Sequence, residues 1–235
     1  MNAGEEFGGY TLVRSLGSGG AGTVWLAEDG GGAQVALKLL HPALASSEAA
    51  RRRLEREAAT VNSVRSDSVA RVVDIETEAS QPFIASEYIA GPTLAAVLKE
   101  GPLDARSVAV LGEDIRHTIQ AVHAARVIHR DIKPSNIMFT AFARPALTDF
   151  GISVSLGGDT SMQMAMSHLW ASPEQFGSSP GRVGPWSDVY SLAATVWALL
   201  IGHSPMFIPG DSNDRLSLEA RIRTMPTPRT MRADV

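Results

Sequence analysis

The stretch Val127-Ile128-His129-Arg130-Asp131-Ile132-Lys133-Pro134-Ser135-Asn136-Ile137-Met138 decides how the rest of this chain is read. It packs a carboxylate base, a basic contact and an amide ligand into one loop. The loop follows Ala105 to Ala125, where Val108, Leu111, Ile115, Ile119 and Val122 fall on one stripe, the pattern of an amphipathic helix. Downstream, Asp149-Phe150-Gly151 begins eleven residues after Met138, and Ala171-Ser172-Pro173-Glu174 comes later. A D-F-G tripeptide alone arises by chance. The whole series in this order does not.

Upstream, Leu16-Gly17-Ser18-Gly19-Gly20-Ala21-Gly22-Thr23-Val24 holds G-x-G-x-x-G-x-V between two strand-like runs, Tyr10 to Leu16 and Thr23 to Glu28. Missing side chains let backbone N–H groups close on phosphates, although a plain glycine-rich hairpin explains the run equally well by itself. A strand after the glycines argues against a dinucleotide-binding turn, and no Gly-Lys-Ser/Thr closes a Walker loop. Val35-Ala36-Leu37-Lys38 sets a lysine in an apolar strand, Gln34 to Leu40. Such a lysine either reaches water at an edge or points inward to a partner. Glu57 is the candidate partner, because it shares the apolar face of the helix spanning Ser47 to Val64 with Leu54 and Val61.

Together these phrases resemble the eukaryotic-like Ser/Thr protein kinases of bacteria, from about Tyr10 to the C-terminus. The resemblance implies an α+β, two-lobed protein-kinase fold in one domain, 1–235. A small β-rich N-lobe with one helix (8–90) would precede a larger, mainly helical C-lobe (91–235), with ATP in the cleft between them. Leu16, Gly17, Ser18, Gly19 and Gly22 would close over ATP, and Lys38 would neutralise its phosphates while Glu57 holds the ammonium. Val24 and Ala36 above and Met138 below would sandwich the adenine, whose edge meets the backbone of Glu87 and Ile89. Asn136 and Asp149 would hold Mg²⁺, Asp131 would orient the substrate hydroxyl and accept its proton, and Lys133 would steady the γ-phosphate. Lys133 also marks a Ser/Thr rather than a tyrosine kinase. His129 and Phe150 read as packing residues, and Asp188 as either a helix cap or a buried anchor of the catalytic loop. The remaining histidines show no metal-ligand spacing.

Composition agrees with an ordinary globular domain. Of 235 residues, 44% are hydrophobic and 20% charged, an ordinary globular mix, and the net charge of −4 argues against a nucleic-acid partner. The absence of cysteine excludes disulfides, thiolate metal sites and thiol catalysis. No stretch is long and apolar enough to span a bilayer, and the chain is expected in the cytoplasm. Two further strands are expected over Val69 to Ile75 and Phe83 to Ile89. Ser187 to Ile201, apolar on nearly all faces, reads as an enclosed helix, and a last amphipathic helix runs from Leu216 to Met225.

Three departures from the family pattern shape further expectations. Met166-Ser167 stands where the family usually has Gly-Thr, and S-P-E replaces A-P-E. The chain reads as lacking the family's last C-terminal helices, which would leave Glu174 without its arginine. The expected consequences are a marginal monomer or a homodimer, and the rival reading is a kinase-derived nucleotide-binding scaffold with little turnover. A small-molecule phosphotransferase is disfavoured by the long loop and the S-P-E element, which suit protein substrates. Arg130 before Asp131 implies autophosphorylation between Ser155 and Ser167, with Thr160 the favoured position ahead of Ser161. Ser86, beside Glu87, implies an open recess at the back of the adenine pocket.

Overall fold

The computed structural model describes residues 1–19, 22–150, 168–176, 183–230 and 232–233. The chain divides into two compact units, Ala90 closing the first and Gly91 opening the second.

The first unit is built on one antiparallel sheet. Strands β1 (Glu6–Phe7), β2 (Tyr10–Gly19), β3 (Gly22–Asp29), β4 (Gln34–Leu40), β5 (Val72–Glu76) and β6 (Phe83–Glu87) lie in the order β1-β2-β3-β4-β6-β5. The two-residue period of these strands sends Tyr10, Leu12, Trp25, Ala27, Val35, Leu37, Leu39, Phe83 and Ala85 into one buried cluster. Register assigns the opposite face: Val24 stands across from Lys38, Leu26 from Ala36, Ala36 from Ser86, and Lys38 from Ile84. After the single turn α1 (Pro42–Ala45), α2 (Glu48–Ser63) covers this face, with Leu54 and Ala58 against Ile84. Ser47 caps α2 by accepting the Ala50 N–H.

Two irregularities have clear causes. β2 shifts register between Leu12 and Arg14 and again between Ser15 and Gly17, so its apolar alternation breaks and Val13 and Leu16 are exposed. At Gly22 a Cβ would stand 1.9 Å from the Leu39 carbonyl oxygen, so the pairing of β3 with β4 itself demands glycine.

Both of the further strands are shorter than expected. β5 starts at Val72, whose N–H and C=O are both taken by the Asn62 side-chain amide. β6 stops at Glu87, where its N–H donates to Arg71 O and its carboxylate accepts the Arg71 N–H.

The second unit is largely helical. It contains α3 (Leu94–Leu98), α4 (Ala105–Ala124), the hairpin of β7 (Ile137–Phe139) and β8 (Pro145–Leu147), α5 (Pro185–Ile201) and α6 (Arg215–Thr224). Thr93, Asp104 and Asp214 cap α3, α4 and α6, and α5 ends on Gly202 at φ 99°, a left-handed residue that favours glycine. α4 buries Val108, Ile115, Ile119 and Val122 and packs on α5.

α5 is not enclosed on all sides. Trp186 and Val189 are 61% and 57% exposed, whereas Ser187, Asp188, Ser191 and Thr195 are buried. The polar residues go inside because each has a partner there: Ser191 Oγ donates to Trp170 O, and Thr195 Oγ1 to Ser191 O. A helix apolar all round carries no stripe to reveal which face lies open.

Beyond α6 the chain from Pro226 to Thr230 has no regular structure, and Arg232 donates to the carbonyls of Leu103 and Leu200. Among the described residues no helix is long and apolar enough to cross a membrane.

Candidate active site

In the first unit, the face of the sheet under α2 carries the lysine. Lys38 Nζ meets Glu57 Oε1 at 2.7 Å, with the two side chains 18% and 9% exposed. The helix period explains the encounter: Glu57 lies on the buried face of α2 with Ala50, Leu54, Ala58 and Val61. Val24 and Ala36 lie on the same sheet face as Lys38, and half-buried Ser86 stands across from Ala36. Gly17 pairs with Val24, and Leu16, Gly17, Ser18 and Gly19 are all exposed. Gly20 and Ala21 lie outside the described residues.

In the second unit, the loop after α4 gathers its polar groups around one carboxylate. Asp131 Oδ2 accepts from Lys133 Nζ at 2.7 Å and from Asn136 Nδ2 at 2.9 Å. Asn136 also donates to the Asp131 carbonyl, and is itself buried at the end of the short turn Pro134–Asn136. Its own carbonyl accepts the Thr148 N–H, which ties the loop to the segment bearing Asp149. Asp149 is exposed and sits at φ 52°. Met138 is half-buried on β7, where it bridges Thr93, and a Cβ at Gly91 would strike the Phe139 carbonyl oxygen.

Arg130 holds the loop's strained position, φ 68°, a region costly for a residue with a side chain. The strain is held by hydrogen bonds. Asp188, fully buried in the first turn of α5, accepts the His129 N–H at 2.9 Å and the Arg130 N–H at 2.8 Å. It acts as an anchor rather than a cap. His123 Nε2 donates to Asp188 Oδ2 at 2.8 Å, a role the sequence reading missed. The available signal was position: His123 follows Ile119 by one helical turn and borders the buried stripe.

The other packing residues occupy the places expected of them. His129 and Phe150 are buried with ring centroids 4.5 Å apart, and His129 Nε2 donates to Thr148 O. Burial pushes the His129 imidazole below its ordinary value, against the opposing pull of Asp188, Asp131, the Thr148 carbonyl and Asp149.

The expectation for Glu174 needs correction. It is only half-buried, and its Oε1 accepts the Ser187 hydroxyl at 2.5 Å. Burial raises its pKa, but bonds from Ser187, its own N–H and Ser172 outweigh that and hold the carboxyl below its ordinary value. The hydroxyls thus stabilise the anion. Thr160, Ser161, Met166 and Ser167 lie outside the described residues, as does Gly151.

The donor set suits a magnesium–nucleotide complex. Asn136 and Asp149 offer a hard amide oxygen and a carboxylate, and among the described residues no cluster of three His, Cys, Asp or Glu could hold a metal unaided. Mg²⁺ is normally bound by one or two protein carboxylates or amides, with phosphates and water completing its shell.

Comparison with known proteins follows the same line. The family described as "Protein kinase domain" matches residues 10–232. The chain is 37% identical over 204 residues to the probable serine/threonine-protein kinase PkwA of Thermomonospora curvata, covering 85% of this chain and 27% of that protein. It is 36% identical over 235 residues to the serine/threonine-protein kinase PknD of Mycobacterium tuberculosis, covering 97% of this chain and 35% of that one. The chain therefore spans about a quarter to a third of the length of these relatives. Among solved structures, the PknI kinase domain of Mycobacterium tuberculosis superposes with a TM-score of 0.70 at 28% identity, covering 90% of this chain and 80% of that domain.

Proposed function

This chain belongs to the protein kinase domain family, and from that premise we propose that it transfers the γ-phosphate of ATP to Ser or Thr hydroxyls of proteins. The observation that carries this reading is the Asp131 carboxylate, fixed by Lys133 and Asn136 on a loop whose backbone is locked by Asp188. Both donors engage Oδ2, which leaves Oδ1 to take the substrate proton. As that proton moves to Asp131, the substrate oxygen forms its bond to the γ-phosphorus and the bond to the departing ADP oxygen breaks.

The other residues position and neutralise. Lys38, held by Glu57, presents its ammonium to the α- and β-phosphates, and Lys133, paired with Asp131, steadies the transferred group. Asn136 and Asp149 would hold Mg²⁺, which when bound would neutralise charge on the phosphates. Leu16, Gly17, Ser18, Gly19 and Gly22 cover the nucleotide, and Val24, Ala36, Met138 and the Glu87 and Ile89 backbone receive the adenine. We place the reaction in the cytoplasm, where ATP is at hand. Arg130, exposed and without an acidic partner among the described residues, favours a phosphate supplied by autophosphorylation between Ser155 and Ser167.

Purified protein, ATP and Mg²⁺ with a generic Ser/Thr substrate test the reading, with Asp131→Asn beside it. The variant keeps shape and ATP binding and should lose roughly 10²–10⁴-fold in turnover. Equal turnover in the two proteins would overturn the reading in favour of a nucleotide-binding scaffold.

A further inference from the structure

The strained peptide of Arg130 is gripped from both ends. Its N–H is taken by Asp188; its C=O accepts from Gln175 Nε2 at 2.8 Å, from a residue 45 positions further along the chain. Gln175 closes the short turn Pro173–Gln175, where its Oε1 accepts the Ser172 N–H at 2.9 Å and the Ser172 hydroxyl at 3.1 Å. These bonds settle the orientation of the amide, since one end faces two donors and the other faces a carbonyl. The turn itself is fastened to α5, because Glu174 accepts from Ser187, the neighbour of Asp188. Two adjacent residues of one helix thereby control the two ends of Arg130.

We propose that Gln175 is a positioning residue for phosphoryl transfer, fixing the Arg130–Asp131 peptide plane and through it the direction of the Asp131 carboxylate. The inference rests on the function proposed above. Turning that peptide about the Arg130 Cα–C bond carries Asp131 with it, and with Arg130 at φ 68° the chain has a more relaxed conformation to fall into once released. The Arg130 carbonyl is near solvent, so water can replace the Gln175 amide at little cost in stability. Water does not replace direction. Loss of the bond should therefore appear in turnover rather than in folding.

Gln175→Glu isolates the contact, since the carboxylate still accepts both Ser172 bonds but has no donor for the Arg130 carbonyl. Its kcat should fall roughly 10–100-fold at neutral pH, the cost of a small misplacement at a reacting centre, with the KM for ATP and the Tm nearly unchanged. Lowering the pH restores a donor by protonating the new carboxyl, so the deficit relative to wild type should shrink. Ser172→Ala, which keeps the Gln175–Arg130 bond, should hold kcat within about twofold of wild type, about 0.4 kcal/mol. Full kcat in Gln175→Glu, or an equal loss in Ser172→Ala, would reduce Gln175 to a cap of its turn. Hydrogen exchange provides a readout independent of turnover. If wild type transfers no phosphate, the function fails, yet the Arg130 and Asp131 amides should still exchange faster in Gln175→Glu. Unchanged exchange would overturn the positioning role.

Discussion

Two charged centres of this chain, Lys38 with Glu57 and Asp188 with its donors, are held in different ways. Lys38 and Glu57 meet side chain to side chain, each carried by its own element, one on β4 and one on α2. Asp188 serves two backbone N–H groups and an imidazole, and no side chain can be deleted to relieve it of the first two. A side-chain ion pair can be removed from both sides and replaced by apolar groups at modest cost. A carboxylate that satisfies peptide groups cannot, because its partners are the chain itself. The first arrangement suits a contact that forms and breaks; the second suits a loop that must keep one shape.

Removing Asp188 is the strongest way to break this contrast. Asp188→Ala leaves three donors, one of them fully buried, without their acceptor and releases the left-handed Arg130. The expected loss is about 3–5 kcal/mol, with turnover abolished, measured by denaturant unfolding and phosphate transfer. A stable Asp188→Ala protein with an active loop would erase the distinction.

The ion pair should be more forgiving. Lys38→Met leaves the buried Glu57 beside apolar neighbours, and should cost about 1–3 kcal/mol. The double variant Lys38→Met with Glu57→Leu should recover most of that stability while remaining inactive, a split readable from Tm and transfer together. Failure of the second substitution to restore stability would show that the pair, too, is structural.

The smallest effect is a pH dependence confined to the loop's packing. The buried His129 imidazole has a folded pKa depressed from 6.5, chiefly by burial. The unfolded chain therefore binds the extra proton first as pH falls, so His129 contributes full stability above about 6.5 and loses it below. The slope cannot exceed about 1.4 kcal/mol per pH unit for one proton. Thermal unfolding from pH 8 to pH 5 should show it, and His129→Phe should flatten that part of the curve.

How far the sequence could be read depended on the range of each signal. Ser47 to Val64 and Ala105 to Ala125 carried long periodicities, and their helices lie within a residue of those limits. The three-residue strands β7 and β8 were not anticipated, since so short a run shows no alternation. Motif order pointed to Asp131, Asn136 and Asp149, because the motif names those side chains by type and spacing. Gln175 and His123 escaped because their work lies in hydrogen bonds to distant groups, and neither amide nor imidazole announces its partner. Gly22 shows the reverse case: the glycine motif was read for phosphate, while the Leu39 carbonyl alone already excludes a side chain there.

The reach of Asp188 has a consequence for how the protein is made. It joins His129 and Arg130 across 59 and 58 residues of chain, and His123 across 65. During synthesis the loop emerges from the ribosome well before the aspartate that shapes it, at a translation rate of about 5–20 residues per second. For several seconds the nascent chain already holds Lys38, Glu57, Asp131, Asn136 and Asp149 but cannot hold Arg130 in its left-handed state. Closing that long loop also carries an entropic cost that only the docking of α5 repays. The shape of the loop therefore arrives late and at once, with the emergence of a single helix rather than with the residues of the loop itself.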